Sequence, residues 1–129
     1  MGDGEQDEGQ VWEAYLCAAK YALLNLTVVI DRNNIEIAGH TESVMPLNSL
    51  AAKLTAFNFN VLEVDGHNLG EIKEAYERAK VTFEKPTAII LRTIPGKGVD
   101  FMENEPGWHG KVPSPAEEIL ALAELKKND

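Results

Sequence analysis

Asp3 stands between Gly2 and Gly4, and Asn33 follows the apolar run Leu26-Thr27-Val28-Val29-Ile30. Flanking glycines let backbone come close to a phosphate. The apolar run reads as a strand of a buried parallel sheet, and ligands of open α/β sheets gather at the carboxyl ends of such strands. A carboxylate, an amide oxygen and a nearby backbone carbonyl are hard oxygen donors. They suit Mg²⁺ or Ca²⁺ shared with a substrate's phosphates, and suit Zn²⁺ poorly. The same residues also read more plainly, Asp3 as a cap of the helix that follows and Asn33-Asn34 as a turn.

Other candidates are weaker. His109 lies between Trp108 and Gly110, where a neutral imidazole could donate or accept near physiological pH, or simply be solvated. Lys97, between Gly96 and Gly98, and Arg92, at a strand end, could meet an anion or remain surface charges. His67 is expected to order its turn and His40 to sit on a surface loop. Cys17, the only cysteine, falls on the apolar side of a helical pattern and is expected to be buried as a small hydrophobe. No GxGxxG opens a strand-to-helix turn, so a nicotinamide site has no support.

The elements that position these groups alternate between strand and helix. Val11, Trp12, Tyr15, Leu16, Ala19 and Leu23 recur in steps of three and four, predicting a helix over about 8–22. Strands are expected near 26–31, 61–65 and 87–92. Residues 35–39 alternate briefly, and 41–46 read as loop. A helix over about 47–57 presents Leu47, Leu50, Leu54 and Phe57. Asn58 then ends it in the left-handed conformation that Asn tolerates. Asn68 with Glu71 resembles a capping box for a helix burying Leu69, Ile72, Ala75, Tyr76 and Ala79, with Glu74 and Arg78 paired on its outer side. A long irregular stretch reaches Pro113, and Ser114-Pro115 with Glu117 and Glu118 starts a last helix with Ile119, Leu122 and Leu125 as its apolar line. Asn128 and Asp129 should fray. Right-handed βαβ crossovers then make a parallel sheet.

At 129 residues the chain is one domain's worth, and 44% hydrophobic with 26% charged residues is ordinary for a globular protein. A net charge of −9 disfavours nucleic acid and anionic membranes. An anionic ligand would need a metal ion and main-chain N–H groups for local positive charge. A single cysteine, no signal peptide and no apolar run near 18 residues point to a reducing, cytoplasmic setting.

Gly2-Asp3-Gly4, then 28 residues (Glu5 to Arg32), then Asn33-Asn34 resembles the diphosphate-binding motif of thiamine-diphosphate enzymes. The surroundings resemble transketolase, in particular the N-terminal subunit of the split, two-gene form. The stretches that carry this are Glu8-Gly9-Gln10-Val11-Trp12-Glu13-Ala14, Val44-Met45-Pro46-Leu47, Val64-Asp65-Gly66-His67, Thr93-Ile94-Pro95-Gly96-Lys97-Gly98-Val99, Phe101-Met102-Glu103 and Trp108-His109-Gly110. They stand in the family's order over nearly the whole chain.

The resemblance implies an α/β, three-layer, partial thiamine-diphosphate-binding fold: about three parallel strands with helices on both faces. Because Met1 abuts Gly2, residues 1–129 are expected to be the C-terminal part of that domain. The strand that should hold Asp3 is then expected to be missing, leaving Asp3 to be ordered at roughly 1–2 kcal/mol per residue. The resemblance further implies Mg²⁺ (or Ca²⁺) held by Asp3, Asn33 and the Ile35 carbonyl, with Gly2 and Gly4 at the diphosphate and the Gly4 N–H on a phosphate oxygen. It implies Glu8 as a carboxylate linking two cofactor sites across a dimer, although Glu8 also reads as an ordinary first-turn helix acid. His109 would serve diphosphate and substrate as the catalytic histidine. The implied activity is two-carbon ketol transfer between sugar phosphates. It requires a C-terminal subunit carrying the pyrimidine-binding domain, in a dimer or heterotetramer. A non-catalytic fragment or binding module, and a related synthase of the deoxyxylulose phosphate type, are the alternatives.

Overall fold

Thr87-Ala88-Ile89-Ile90-Leu91-Arg92 has no polar residue at its four central positions, and Thr87 through Ile90 are all buried. A strand apolar on both faces needs cover on both faces. In the computed structural model, which describes residues 1–127, this strand (β5) is the centre of a parallel sheet in the order β1-β5-β4. β1 is Thr27–Arg32 and β4 is Asn60–Asp65; Thr27 and Asn60 both register with Thr87. All three strands fall where the sequence places them, and all are parallel.

Alternation along β5 divides the core into two layers. Ala88 and Ile90 pack with Ile30 of β1, with Tyr15 and Ala18 of α1 (Gly9–Lys20), and with Leu50 and Leu54 of α3 (Leu50–Ala56). Ile89 points the other way, onto Leu62 of β4 and Ala75 and Ala79 of α4 (Leu69–Lys80). The expected three-layer α/β arrangement, with helices on both faces, is the one found.

Caps were legible locally. Asn68 Oδ1 accepts from the N–H groups of Gly70 (3.0 Å) and Glu71 (3.2 Å). Ser114 and Glu117 form a full capping box at the start of α5 (Pro115–Leu125). Asn58 takes φ +67° after α3. Residues 35–40 differ from expectation: Ile35–Glu36 (β2) and Gly39–His40 (β3) form a small antiparallel hairpin, so His40, though exposed, is in a strand. Thr41–Val44 is a single helical turn (α2) rather than loop, and α3 begins at Leu50 rather than near Leu47.

Several side chains expected inside are outside. Cys17 is exposed, as are Leu16 on α1, Leu69 and Tyr76 on α4, and Ile119, Leu122 and Leu125 on α5. Each helix is amphipathic, but the described sheet covers only part of each apolar stripe. No residue of α5 is buried. Glu74 and Arg78 do not pair among the described residues; Lys80 pairs with Glu77 instead, at 2.8 Å. Fraying of Asn128 and Asp129 lies outside the described residues. No helix among those residues is long and apolar enough to cross a membrane.

The N-terminus is held, contrary to expectation. The Asp31 N–H donates to the Met1 carbonyl (2.9 Å), and the Asp3 N–H donates to the Asp31 carbonyl (3.0 Å). Gly2 thus makes a parallel bridge to Asp31. The edge of β1 supplies backbone partners for the very residues that seemed to lack them.

Tyr15 illustrates what burial does to a polar core residue. Its hydroxyl donates to Gln6 Oε1 at 2.7 Å. Burial pushes its phenol up to about 12, against the lowering effect of the Gln6 hydrogen bond. With the folded pKa above the unfolded value, this group's contribution is complete below pH 10 and lost as the pH rises towards 12. An ultraviolet titration should therefore show one late phenol that disappears in Tyr15→Phe. If the Tyr15→Phe spectrum loses an ordinary phenol instead, the assignment fails.

Candidate functional site

Beyond the carboxyl end of β1 the chain turns sharply at Asn34, whose φ is +64°. The Asn33 side chain holds this turn: its Oδ1 accepts the Ile35 N–H at 3.0 Å, and its Nδ2 donates to Asp31 Oδ2 at 3.1 Å. Asp31 Oδ1 in turn accepts from the Thr93 hydroxyl at the exit of β5. An Asn built into a turn therefore sits on a rigid support from two strands. Its amide oxygen keeps a second lone pair for another partner.

The turn borders a cavity of about 560 Å³ lined by Gly2, Gly4, Glu8, Asn33, Ile35 and His109, with Glu5, Asp31, Glu36, Ile37 and Ala38. Six of the seven residues that the resemblance assigns to a cofactor site therefore share one hollow, although they come from separate stretches of chain. The seventh, Asp3, lies behind the lining and is fully buried. Its Oδ2 accepts from Arg32 Nη1 at 2.6 Å and from the Asn34 N–H at 2.8 Å. Its Oδ1 is buried without a hydrogen-bond partner. Gly4 is glycine for a steric reason as well: a Cβ there would stand 2.8 Å from Glu36 Cβ.

His109 follows the short 3-10 turn Pro106–Trp108. Trp108 fixes that turn: its Nε1–H donates to the Phe101 carbonyl at 2.9 Å, and Lys111 Nζ lies 3.8 Å from its ring centroid. Lys111 also pairs with Glu117 at 2.8 Å, tying the loop to α5. The other basic and imidazole candidates are elsewhere. His67 Nε2 accepts the Ile94 N–H at 2.7 Å and so orders its turn. Arg92 pairs across strands with Glu63, and neither Arg92 nor Lys97 lines the cavity.

The charge of the lining is one-sided. It has four carboxylates (Glu5, Glu8, Asp31 and Glu36) and no Lys or Arg. A diphosphate placed there without a cation would face like charge on several sides. Among the described residues no three His, Cys, Asp or Glu side chains group to hold a metal ion. A cation here would have to draw on a mixed set: one carboxylate oxygen, an amide oxygen and main-chain carbonyls, as hard cations do. The unpartnered Asp3 Oδ1 and the spare lone pair on Asn33 Oδ1 fit that requirement.

The group missed in sequence is the support behind Asp3. Arg32 is 3% exposed. Its Nη1 also donates to Thr41 Oγ1 at 2.8 Å, and its Nη2 donates to Glu42 Oε1. Partial desolvation pushes the Glu42 carboxyl up, but the Asn48 N–H, Arg32 and the Leu47 N–H outweigh it and hold the pKa below the ordinary value. A signal existed. Residues two apart on a strand share a face, so Arg32 lies on the same side as the core residue Ile30.

Residues 1–126 match the family described as transketolase, thiamine diphosphate binding domain. Among curated proteins, the chain is 40% identical over 127 residues to an apulose-4-phosphate transketolase subunit of Phocaeicola vulgatus, covering 98% of this chain and 45% of that one. It is 42% identical to the 6-deoxy-6-sulfo-D-fructose transketolase subunit SqwG of a Clostridium species, covering 98% and 46%. The chain thus spans less than half the length of these relatives. A crystal structure of transketolase from Campylobacter jejuni superposes with a TM-score of 0.88 at 31% identity, over 97% of this chain and 20% of that one.

Proposed function

Since the chain belongs to the transketolase thiamine-diphosphate-binding-domain family, we propose that it is the C-terminal part of such a domain and a split-transketolase component that anchors Mg²⁺ and thiamine diphosphate. The observation that carries this is the convergence of Gly2, Gly4, Glu8, Asn33, Ile35 and His109 on one acidic cavity, backed by a buried, unpartnered Asp3 Oδ1. In this reading Asp3, Asn33 and the Ile35 carbonyl hold the divalent cation. Held there, a cation would offset the four carboxylates of the lining, which would otherwise repel a diphosphate. Gly2 and Gly4 would let backbone approach the phosphates, and the Gly4 N–H would be the donor to one of them. Glu8, at the N-cap of α1 and exposed, faces the matching site across a dimer or heterotetramer. His109, also in the lining, would hydrogen-bond the diphosphate and hold or release a proton at the sugar.

When bound, thiamine diphosphate supplies carbanion chemistry, and the protein supplies binding, orientation and electrostatics. The substrates are sugar phosphates, the reaction is transfer of a two-carbon ketol unit, and the setting is the cytoplasm. The pyrimidine-binding domain comes from a second subunit. We therefore expect the isolated 129 residues to show no ketol transfer and weak or no cofactor binding. Calorimetry with Mg²⁺ and thiamine diphosphate tests this. Binding should appear only when the remaining transketolase segments are added, should be lost with Asp3→Ala and should survive Cys17→Ala, whose side chain is exposed away from the cavity lining. Micromolar binding and turnover by the chain alone would show that it completes its own site.

A further inference from the structure

A buried carboxylate oxygen with no partner costs about 1–3 kcal/mol, so one that persists calls for a reason. Asp3 has two oxygens with room for roughly four hydrogen bonds between them. Both of its recorded bonds fall on Oδ2, from Arg32 and from the Asn34 N–H, and none falls on the buried Oδ1. The division follows from what holds Arg32. Its guanidinium is buried and spans three acceptors: Asp3, the Thr41 hydroxyl and Glu42. Glu42 is itself held by the N–H groups of Leu47 (3.2 Å) and Asn48 (3.3 Å). The guanidinium therefore cannot swing to cover Oδ1 without giving up the partners that fix it.

We infer that Arg32 is a positioning residue: by occupying Asp3 Oδ2 it presents Oδ1 as a fixed, one-oxygen donor to a divalent cation. This rests on the anchoring role proposed above. A positive side chain beside a cation site would ordinarily weaken it. Here Glu42 offsets that charge, because two carboxylates and one guanidinium leave the group with a net negative charge. A lysine could not do the same, since its single ammonium lacks the planar fork that reaches three acceptors at once.

Mn²⁺ is the probe, read on the full chain by nuclear magnetic resonance, where paramagnetic broadening reports even weak binding. Two readouts separate the two claims. Without metal, amide exchange at Asn34 reports whether its N–H still meets Asp3 Oδ2. With metal, the Mn²⁺ concentration that half-broadens the Asp3, Asn34 and Ile35 amides reports the donor. In Arg32→Met we expect Asn34 exchange to quicken and the half-broadening concentration to rise roughly tenfold, equivalent to about 1.4 kcal/mol. Arg32→Lys should fall between Arg32→Met and the wild type, and it serves if Arg32→Met does not fold. The Ile89 and Ile90 amides in the centre of the sheet, unchanged, certify the fold. If the wild type broadens at these amides and both variants match it in exchange and in Mn²⁺ response, the positioning role is overturned. If Mn²⁺ broadens none of these amides in the wild type, Asp3 Oδ1 is not presented as a donor in this chain and the inference is overturned, whereas the anchoring reading stands or falls on the calorimetry with the remaining segments added.

Discussion

Asp3→Ala should unfold at markedly lower urea concentration than the wild type, with a stability loss of about 3–5 kcal/mol. The reason lies in the partners left behind. The Asp3 and Arg32 side chains are 1% and 4% exposed, so removing the carboxylate leaves a guanidinium that water cannot reach with only one of its two carboxylate partners. It also strands the Asn34 N–H, which Asp3 Oδ2 accepts at 2.8 Å. Arg32 keeps Thr41 and Glu42, which pulls the expected loss towards the lower end of the range. The pair is separable from its charge: Asp3→Ala combined with Arg32→Met should recover much of the loss, because removing both buried charges avoids a buried guanidinium that has lost one partner. A single-variant loss below about 1 kcal/mol would mean that the pair behaves like a screened surface ion pair. Simple additivity in the double variant would mean that the two residues are not coupled.

Gly96→Ala should cost about 2–4 kcal/mol and loosen the loop that carries His109. Two terms add. Gly96 has φ +72°, where an L side chain is strained by roughly 1 kcal/mol. A Cβ there would also lie 2.6 Å from the Met102 carbonyl carbon, oxygen and Cβ. Two of those three are backbone, so relief requires the loop to move, a cost of roughly 1–3 kcal/mol. Gly96 lines a second, 270 Å³ cavity together with Trp108, His109 and Ile35, next to the candidate site. Displacement there should quicken amide exchange from Val99 through His109. Gly107→Ala is the control. It lies in the same loop, a Cβ there meets nothing within 4 Å, and the change should stay within about 0.5 kcal/mol. Equal effects at the two glycines would point to general loop sensitivity rather than to the Gly96–Met102 contact.

What the sequence determined by itself was local or periodic. The run Thr87 to Leu91 announces a strand covered on both faces, because no short apolar stretch of that kind is stable with one face in water. The Asn68 and Ser114 caps are legible because cap and capped N–H lie within three residues. The Gly2 to Gly4 and Asn33 motif was legible by resemblance; Gly2, Gly4 and Asn33 line one cavity, and Asp3 lies buried behind it.

What only the tertiary structure decided was which side chains are covered and which distant groups meet. Periodicity places Leu16, Ile119 and Leu122 on apolar faces, but whether anything packs there depends on neighbours that a helix cannot encode. These faces are open in the described residues, and Cys17 is exposed beside one of them. The support of Asp3 by Arg32, and of Asp31 by Thr93, joins residues 29 and 62 positions apart. Strand alternation could say that Arg32 points inward, but not that a carboxylate waits there. That pairing exists only once Met1 to Asp3 lie along β1, and it leaves one oxygen of Asp3 without a partner.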